Sequence, residues 1–159
     1  MNILFHPIGM IHTPIKEKKD APIQSARSEI NGEVEVFPEF SEGLEGIEEF
    51  SHIYLLYYLH LANQAASLQV KPFLDDRQHG VFATRHPCRP NAIGFSVVQL
   101  IRRENNRLFF CGADMLDETP LLDIKPYIPD FDIFEVAKTG WFQNRNKDIS
   151  NNVTKNGEL

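Results

Sequence analysis

Apolar residues in this chain alternate with polar ones more often than they recur at helical spacing. Residues 33–37 (EVEVF) alternate with a period of two, which predicts a strand with one buried face. Residues 4–11 form a short apolar run broken by Pro7 and Gly9. Residues 52–60 (HIYLLYYLH) have no polar position between the two histidines, which predicts a strand buried on both faces, although pattern alone does not separate it from a helix. Strand-like runs continue at 69–74, 80–84, 93–101 and 108–115, and Asn105-Asn106 falls between the last two as a hairpin tip. The one helical stretch is 41–50, where Ser41 can cap the first turn and Leu44, Ile47 and Phe50 share a face. Many short strands separated by polar turns predict a mainly β protein, a small single-domain barrel or sandwich with few short helices. We expect it to span residues 1–142, with 143–159, poor in bulky apolar residues, as a flexible tail.

Composition agrees with a globular domain: 159 residues, 42% of them hydrophobic, can bury a core without a metal or a disulfide staple. Cys88 and Cys111 are too few for a disulfide framework, and no C-x-x-C pair suggests zinc. The opening MNILFHPIGMIHTP has no signal-peptide pattern and no apolar run reaches membrane-spanning length, so a cytoplasmic protein is expected. The histidines lack ligand spacing with a second His, Cys or carboxylate, so no metal is expected.

Charge changes the picture more. The net charge of −6 argues against a general nucleic-acid coat. Yet residues 77–107 hold six arginines against one acid, while residues 29–49 hold eight glutamates and no base. The glutamates read as a solvated face. The arginine-rich stretch could draw a phosphate-bearing substrate locally.

Three constellations carry candidate chemistry. In ATRHPCRPN, Pro87 and Pro90 hold the preceding residues extended, so Arg85 and Arg89 do not share a helix face. Both could contact anionic groups of one ligand, or one could bind while the other braces the loop; the arginine fork suits carboxylate and phosphate. In LDETPLLDIKPYIPDFD, five acids surround three prolines and could accept hydrogen bonds from ribose hydroxyls, or form a solvated loop. APIQSARSE is a polar loop able to offer backbone groups to a ligand. Cys88, between the two arginines, reads as a bystander. Neither G-x-G-x-x-G nor a P-loop is present, so any nucleoside cofactor is held by a non-Rossmann fold.

Taken in order, PIGMIHTP, PIQ, LEGIEEFSHIYLLYYLH, GVFATRHPCRPNAIGFSVVQL, LDETPLLDIKPYIP and GWF resemble the TsaA-like, or TrmO-like, proteins over about residues 5–142. The resemblance implies a β-barrel, S-adenosyl-L-methionine-dependent methyltransferase acting on N6-threonylcarbamoyladenosine next to the tRNA anticodon, and a homodimer. It also implies cofactor contacts at Gln24, Ser25, Ala26, His60, Leu61, Arg85, Phe95, Asp117, Glu118, Thr119, Pro120 and Leu121. Arg85, Arg89 and Asn91 then face substrate, and His60 or Asp117 are candidates to accept the departing proton. Longer members carry a C-terminal domain after the barrel, so the tRNA substrate is less firmly implied than the cofactor. Two rival readings keep the cofactor: action on another adenosine-like molecule, or a non-catalytic sensor.

Overall fold

The computed structural model describes residues 1–62 and 65–145. They fall into two compact units: one made of 1–60 and 93–129, the other of 61–92 together with the chain from 130 on. The first unit is a closed barrel of six antiparallel strands. Its strands are β1 (Gly9–His12), β2 (Asn31–Val36), β3 (His52–Tyr58), β6 (Ile93–Glu104), β7 (Arg107–Cys111) and β8 (Thr119–Pro126). They close in the order β1-β2-β7-β6-β3-β8. Closure leaves no strand edge unpaired, so a small sheet can stand without a covering layer.

Alternation along the strands fills the interior. Ile11, Val34, Ile53, Leu55, Leu108, Phe110 and Leu121 have no exposed surface at all. Burying each such side chain contributes about 1.5–3 kcal/mol. Gly32 lies under Phe110, where a Cβ would stand 2.4 Å from the ring, so this glycine is required by the core. The strand β3 is buried on one face, not two: Ile53, Leu55 and Tyr57 point inward, whereas Tyr54 and Leu56 are half-buried and Tyr58 is exposed. Aromatic side chains on both faces erase the alternation that would have revealed this. The outward Tyr54 packs against Tyr127 and Phe95, at centroid distances of 5.6 and 6.5 Å.

Other expectations shift as well. The stretch 41–50 is not an α-helix with a Ser41 cap. It is two 3-10 turns, Pro38–Leu44 and Ile47–Glu49, divided by Gly46 in the left-handed region at φ 80°. Ser41 lies inside the first turn and donates its hydroxyl to the Pro38 carbonyl, 2.9 Å away. The apolar face is as read: Leu44 is buried, with Ile47 and Phe50 packed on the core. The hairpin is also as read, with Glu104 paired to Arg107 around the Asn105-Asn106 tip. By contrast, β8 was hidden by its prolines. Pro120 pairs with Met10 on one side of the strand, and Pro126 ends it against Ile53.

The second unit holds a two-stranded pair, β4 (Gln69–Val70) with β5 (His79–Gly80), followed by a 3-10 turn at Val81–Ala83. The strands expected at 69–74 and 80–84 are thus much shorter, the latter mostly a turn. Val70, Leu74 and Val81 are buried. Trp141 stacks on His79 at 5.1 Å and donates its indole N–H to the Ala83 carbonyl, 2.7 Å away. A 3-10 turn, Gly140–Asn144, includes the first residues of the expected tail; from 146 on, the tail lies outside the described residues. No helix among the described residues is long and apolar enough to cross a membrane, and none of their His, Cys, Asp and Glu side chains cluster as a metal site.

Candidate functional site

Antiparallel closure gives the barrel two ends with different chemistry. At one end, His12 ends β1, Asn31 begins β2, Tyr58 ends β3, Ile93 begins β6, Cys111 ends β7 and Thr119 begins β8. The barrel-unit residues expected to hold a cofactor are carried here: Gln24–Ala26 between β1 and β2, His60 after β3, Phe95 near the start of β6, and Asp117–Leu121 leading into β8.

Two of these segments are fastened to one another. Ser25–Arg27 forms a 3-10 turn behind an extended Gln24. Past it, the Ser28 hydroxyl donates to the Ala113 carbonyl at 2.6 Å, and the Gly112 and Ala113 N–H groups donate to the Ile30 carbonyl at 3.0 and 2.9 Å. Gly112 has φ 103°, and a Cβ on it would stand 3.3 Å from the Ser25 carbonyl oxygen, so this close approach needs glycine twice over. Thr13 donates its hydroxyl to the Met115 carbonyl and its N–H to Asp117 Oδ1, both at 3.0 Å. The Asp117 N–H donates to the Ile15 carbonyl at 2.8 Å, and Lys16 Nζ pairs with Asp117 Oδ2.

Asp117 therefore braces two loops. Burial works to raise its pKa, but the hydrogen bonds from Lys16 and the Thr13 N–H outweigh it and hold the carboxyl below its usual range. A carboxylate engaged at both oxygens and so acidified is a poor proton acceptor. Its neighbour Glu118 adopts φ 56°, a left-handed conformation that costs a non-glycine residue about 1 kcal/mol. Thr119 and Leu121 turn their side chains into the core, so only their backbone groups remain for a ligand. Phe95 lies on the outer wall and is 43% exposed. His60 is half-buried, with its N–H bonded to the Tyr58 carbonyl at 2.8 Å.

Sequence reading missed a polar chain inside this end of the barrel. The Ser96 hydroxyl donates to Asp114 Oδ1 at 2.5 Å and lies 2.9 Å from the Tyr57 hydroxyl. A serine has one hydroxyl hydrogen, so with that hydrogen on Asp114 the Tyr57 phenol is the donor to Ser96. Burial first, and then the negative charge of Asp114, push the Tyr57 phenol well above its usual range. A serine in IGFSVV and a tyrosine in a run of aromatics carry no sequence signal for such a chain.

In the second unit, Leu61, Arg85 and Asn91 are exposed. Arg89 is half-buried and donates from Nη1 to the Thr84 and His86 carbonyls, at 3.0 and 3.4 Å, so it braces its own loop. Burial and then the Arg89 charge hold His86 below its usual range; its Nδ1 accepts the Cys88 N–H at 3.2 Å.

The opposite end of the barrel resolves the uneven charge. Arg107 pairs with Glu33 at 2.9 Å and Arg103 with Glu48 at 3.3 Å, so the glutamate run and the arginine stretch partly neutralise one another. Arg103 also donates to the Leu44 carbonyl at 2.9 Å, while Arg102 pairs with Glu104 and lies 3.7 Å over the Phe109 ring. An open groove of about 930 Å³ on this side is rimmed by Glu39, Glu42, Glu45 and Glu49, and none of the candidate residues lines it.

Fold and site together define a β-barrel with a braced polar loop pair at one end. Residues 10–133 match the family model of the tRNA-methyltransferase O N-terminal domain, and the chain belongs to that family. A protein of Pyrococcus abyssi named "Probable S-adenosyl-L-methionine-binding protein" is 57% identical over 142 residues, covering 89% of this chain and 77% of its own. The tRNA (adenine(37)-N6)-methyltransferase of Mus musculus is 38% identical, covering 82% of this chain and 32% of its own. The crystal structure of TrmO from Pseudomonas aeruginosa is 40% identical with a TM-score of 0.74, over 88% of this chain. This chain spans 62% of that structure's length. The expectation of a barrel of this family is borne out.

Proposed function

We propose that this chain is an S-adenosyl-L-methionine-dependent tRNA methyltransferase that methylates N6 of threonylcarbamoyladenosine next to the anticodon. The observation that carries this reading is the fastening of the Ser25–Arg27 turn to the Gly112–Asp117 loop at one barrel end. It gives family-matching residues a rigid platform instead of two mobile loops. The names of the mouse and Pyrococcus relatives support tRNA and the cofactor respectively.

The residues present fit that cofactor in kind. Gly112 is a glycine where a side chain would crowd the Ser25 carbonyl, so the turn keeps its backbone close and fixed. Carboxylates and backbone polar groups surround it, as an adenosine needs. When bound, the cofactor supplies an electrophilic methyl group on a sulfonium. The barrel's contribution is alignment: Gln24–Ala26 and Asp117–Leu121 hold the nucleoside through backbone groups and fix its approach. Asp117 stabilises the platform, and of the two proposed acceptors His60 is the better placed to take the N6 proton, because Asp117 is committed to Lys16 and Thr13. Arg85 and Asn91 take anionic and polar groups of the substrate, the threonyl carboxylate or a phosphate, while Arg89 acts by stiffening the loop that presents them. A second copy completes the reading as a homodimer, for which the exposed Tyr58, Ile93 and Phe95 offer apolar surface. Action on tRNA places the enzyme in the cytoplasm.

The test is nucleoside mass spectrometry of tRNA from cells lacking this gene, incubated with the protein and the methyl donor. Conversion of threonylcarbamoyladenosine to its N6-methyl form is the expected result. Cofactor binding with no transfer to any adenosine in tRNA would favour a sensor.

A further inference from the structure

The Tyr57–Ser96–Asp114 chain is more than the barrel needs for packing. Tyr57 and Ser96 are 5% and 3% exposed, yet both present hydroxyls to one half-buried carboxylate. The two hydroxyls form a line, Tyr57 to Ser96 to Asp114, with separations of 2.9 and 2.5 Å. They fix the direction of the carboxylate but carry no charge of their own. Asp114 sits between Ala113, whose N–H and carbonyl are both fastened to the loop carrying Gln24–Ala26, and Met115, fastened to Thr13. The carboxylate is therefore held both from the barrel interior and along its own backbone. Its field reaches the Tyr57 oxygen strongly enough to rank next after burial in keeping that phenol protonated. In a partly buried setting such a field acts at low effective dielectric and discriminates charge far better than one in water.

We propose that Asp114, oriented by Ser96 and Tyr57, is the residue by which this barrel distinguishes the positively charged methyl donor from its neutral product. The inference rests on the methyltransferase reading and deepens it. A sulfonium loses its charge when the methyl group leaves, so a fixed negative field binds the donor more tightly than the spent cofactor. This favours donor loading and product release, at some expense to the chemical step, because the field also stabilises the ground state.

The test is calorimetric binding of S-adenosyl-L-methionine and of S-adenosylhomocysteine, with no turnover involved. The wild type is expected to bind the sulfonium about tenfold more tightly than the neutral thioether. Asp114→Asn, which keeps shape and loses charge, is expected to bring that ratio to within about twofold of unity, chiefly by weakening the sulfonium. Ser96→Ala, which leaves the charge and frees the carboxylate, is expected to lower the ratio partway. A structural role alone would weaken both ligands by one factor; an unchanged ratio in Asp114→Asn overturns the proposal while leaving the cofactor assignment intact. Should Asp114→Asn fail to fold, an unchanged ratio in Ser96→Ala has the same force. Wild-type protein that binds neither ligand overturns the methyltransferase reading, and this proposal with it.

Discussion

The ring of Tyr57 lies against the backbone of Gly94, its partner on the neighbouring strand: a Cβ at position 94 would stand 2.3 Å from Tyr57 Cε2. The missing side chain is what lets the phenol lie flat and bring its hydroxyl to Ser96. Gly94→Ala must displace the ring, and in a closed barrel there is little room to do so. The expected cost is about 1–3 kcal/mol of stability, as for other overpacked cores. Chemical denaturation checks it, and a concurrent loss of cofactor affinity would show that ring position matters to the polar chain as well.

Glu118 is a second strained point, with φ 56° at a non-glycine residue. Glu118→Gly removes that strain, and the midpoint of thermal unfolding is expected to rise, corresponding to a gain of up to about 1 kcal/mol. A fall would mean that the carboxylate, not the backbone, is what this position supplies.

Asp117 predicts a pH dependence. Its folded-state pKa lies below the ordinary carboxyl value, so its contribution to stability is fully present above about pH 4 and is lost as pH falls through the depressed folded value. Urea unfolding of the wild type and Asp117→Asn should therefore differ most near neutral pH, with the difference shrinking under acid. A difference that grows on acidification would reverse the sign and refute the brace.

Arginine substitutions separate the two barrel-end charge patterns from the loop of the second unit. Arg107 spends its charge on Glu33 and Glu35 and is 49% exposed, so Arg107→Ala is expected to leave methyl transfer within about twofold. Arg85→Ala is expected to cost about ten- to a hundredfold in kcat/KM, the value of a charge-assisted hydrogen bond to substrate. Equal, small losses for both would remove Arg85 from the site.

Legibility from sequence followed the physics of each element. The alternation of EVEVF, the Asn105-Asn106 tip and the long apolar run after Asn91 all became strands or turns of the barrel, because period-two burial survives in any antiparallel sheet. The pattern failed where both faces carry aromatic residues, as in β3, and where prolines sit in a strand, as in β8. Of the candidate site, the segments were legible because long motifs name them. What those segments do for one another was not: Thr13, Lys16 and Ser28 fasten loops about a hundred positions apart, or nearly so, and such contacts leave no mark on local pattern. The pairing of Arg103 and Arg107 with glutamates far back in the chain was hidden for the same reason, and it answers whether the basic stretch stands ready for nucleic acid.

The most direct measurement of the central claim is transfer of a deuterated methyl group from S-adenosyl-L-methionine to purified tRNA that either carries or lacks the threonylcarbamoyl group. The account predicts label on N6 of the modified adenosine next to the anticodon, and none in the tRNA lacking it. Label elsewhere in the tRNA, or equal label in both, would contradict it.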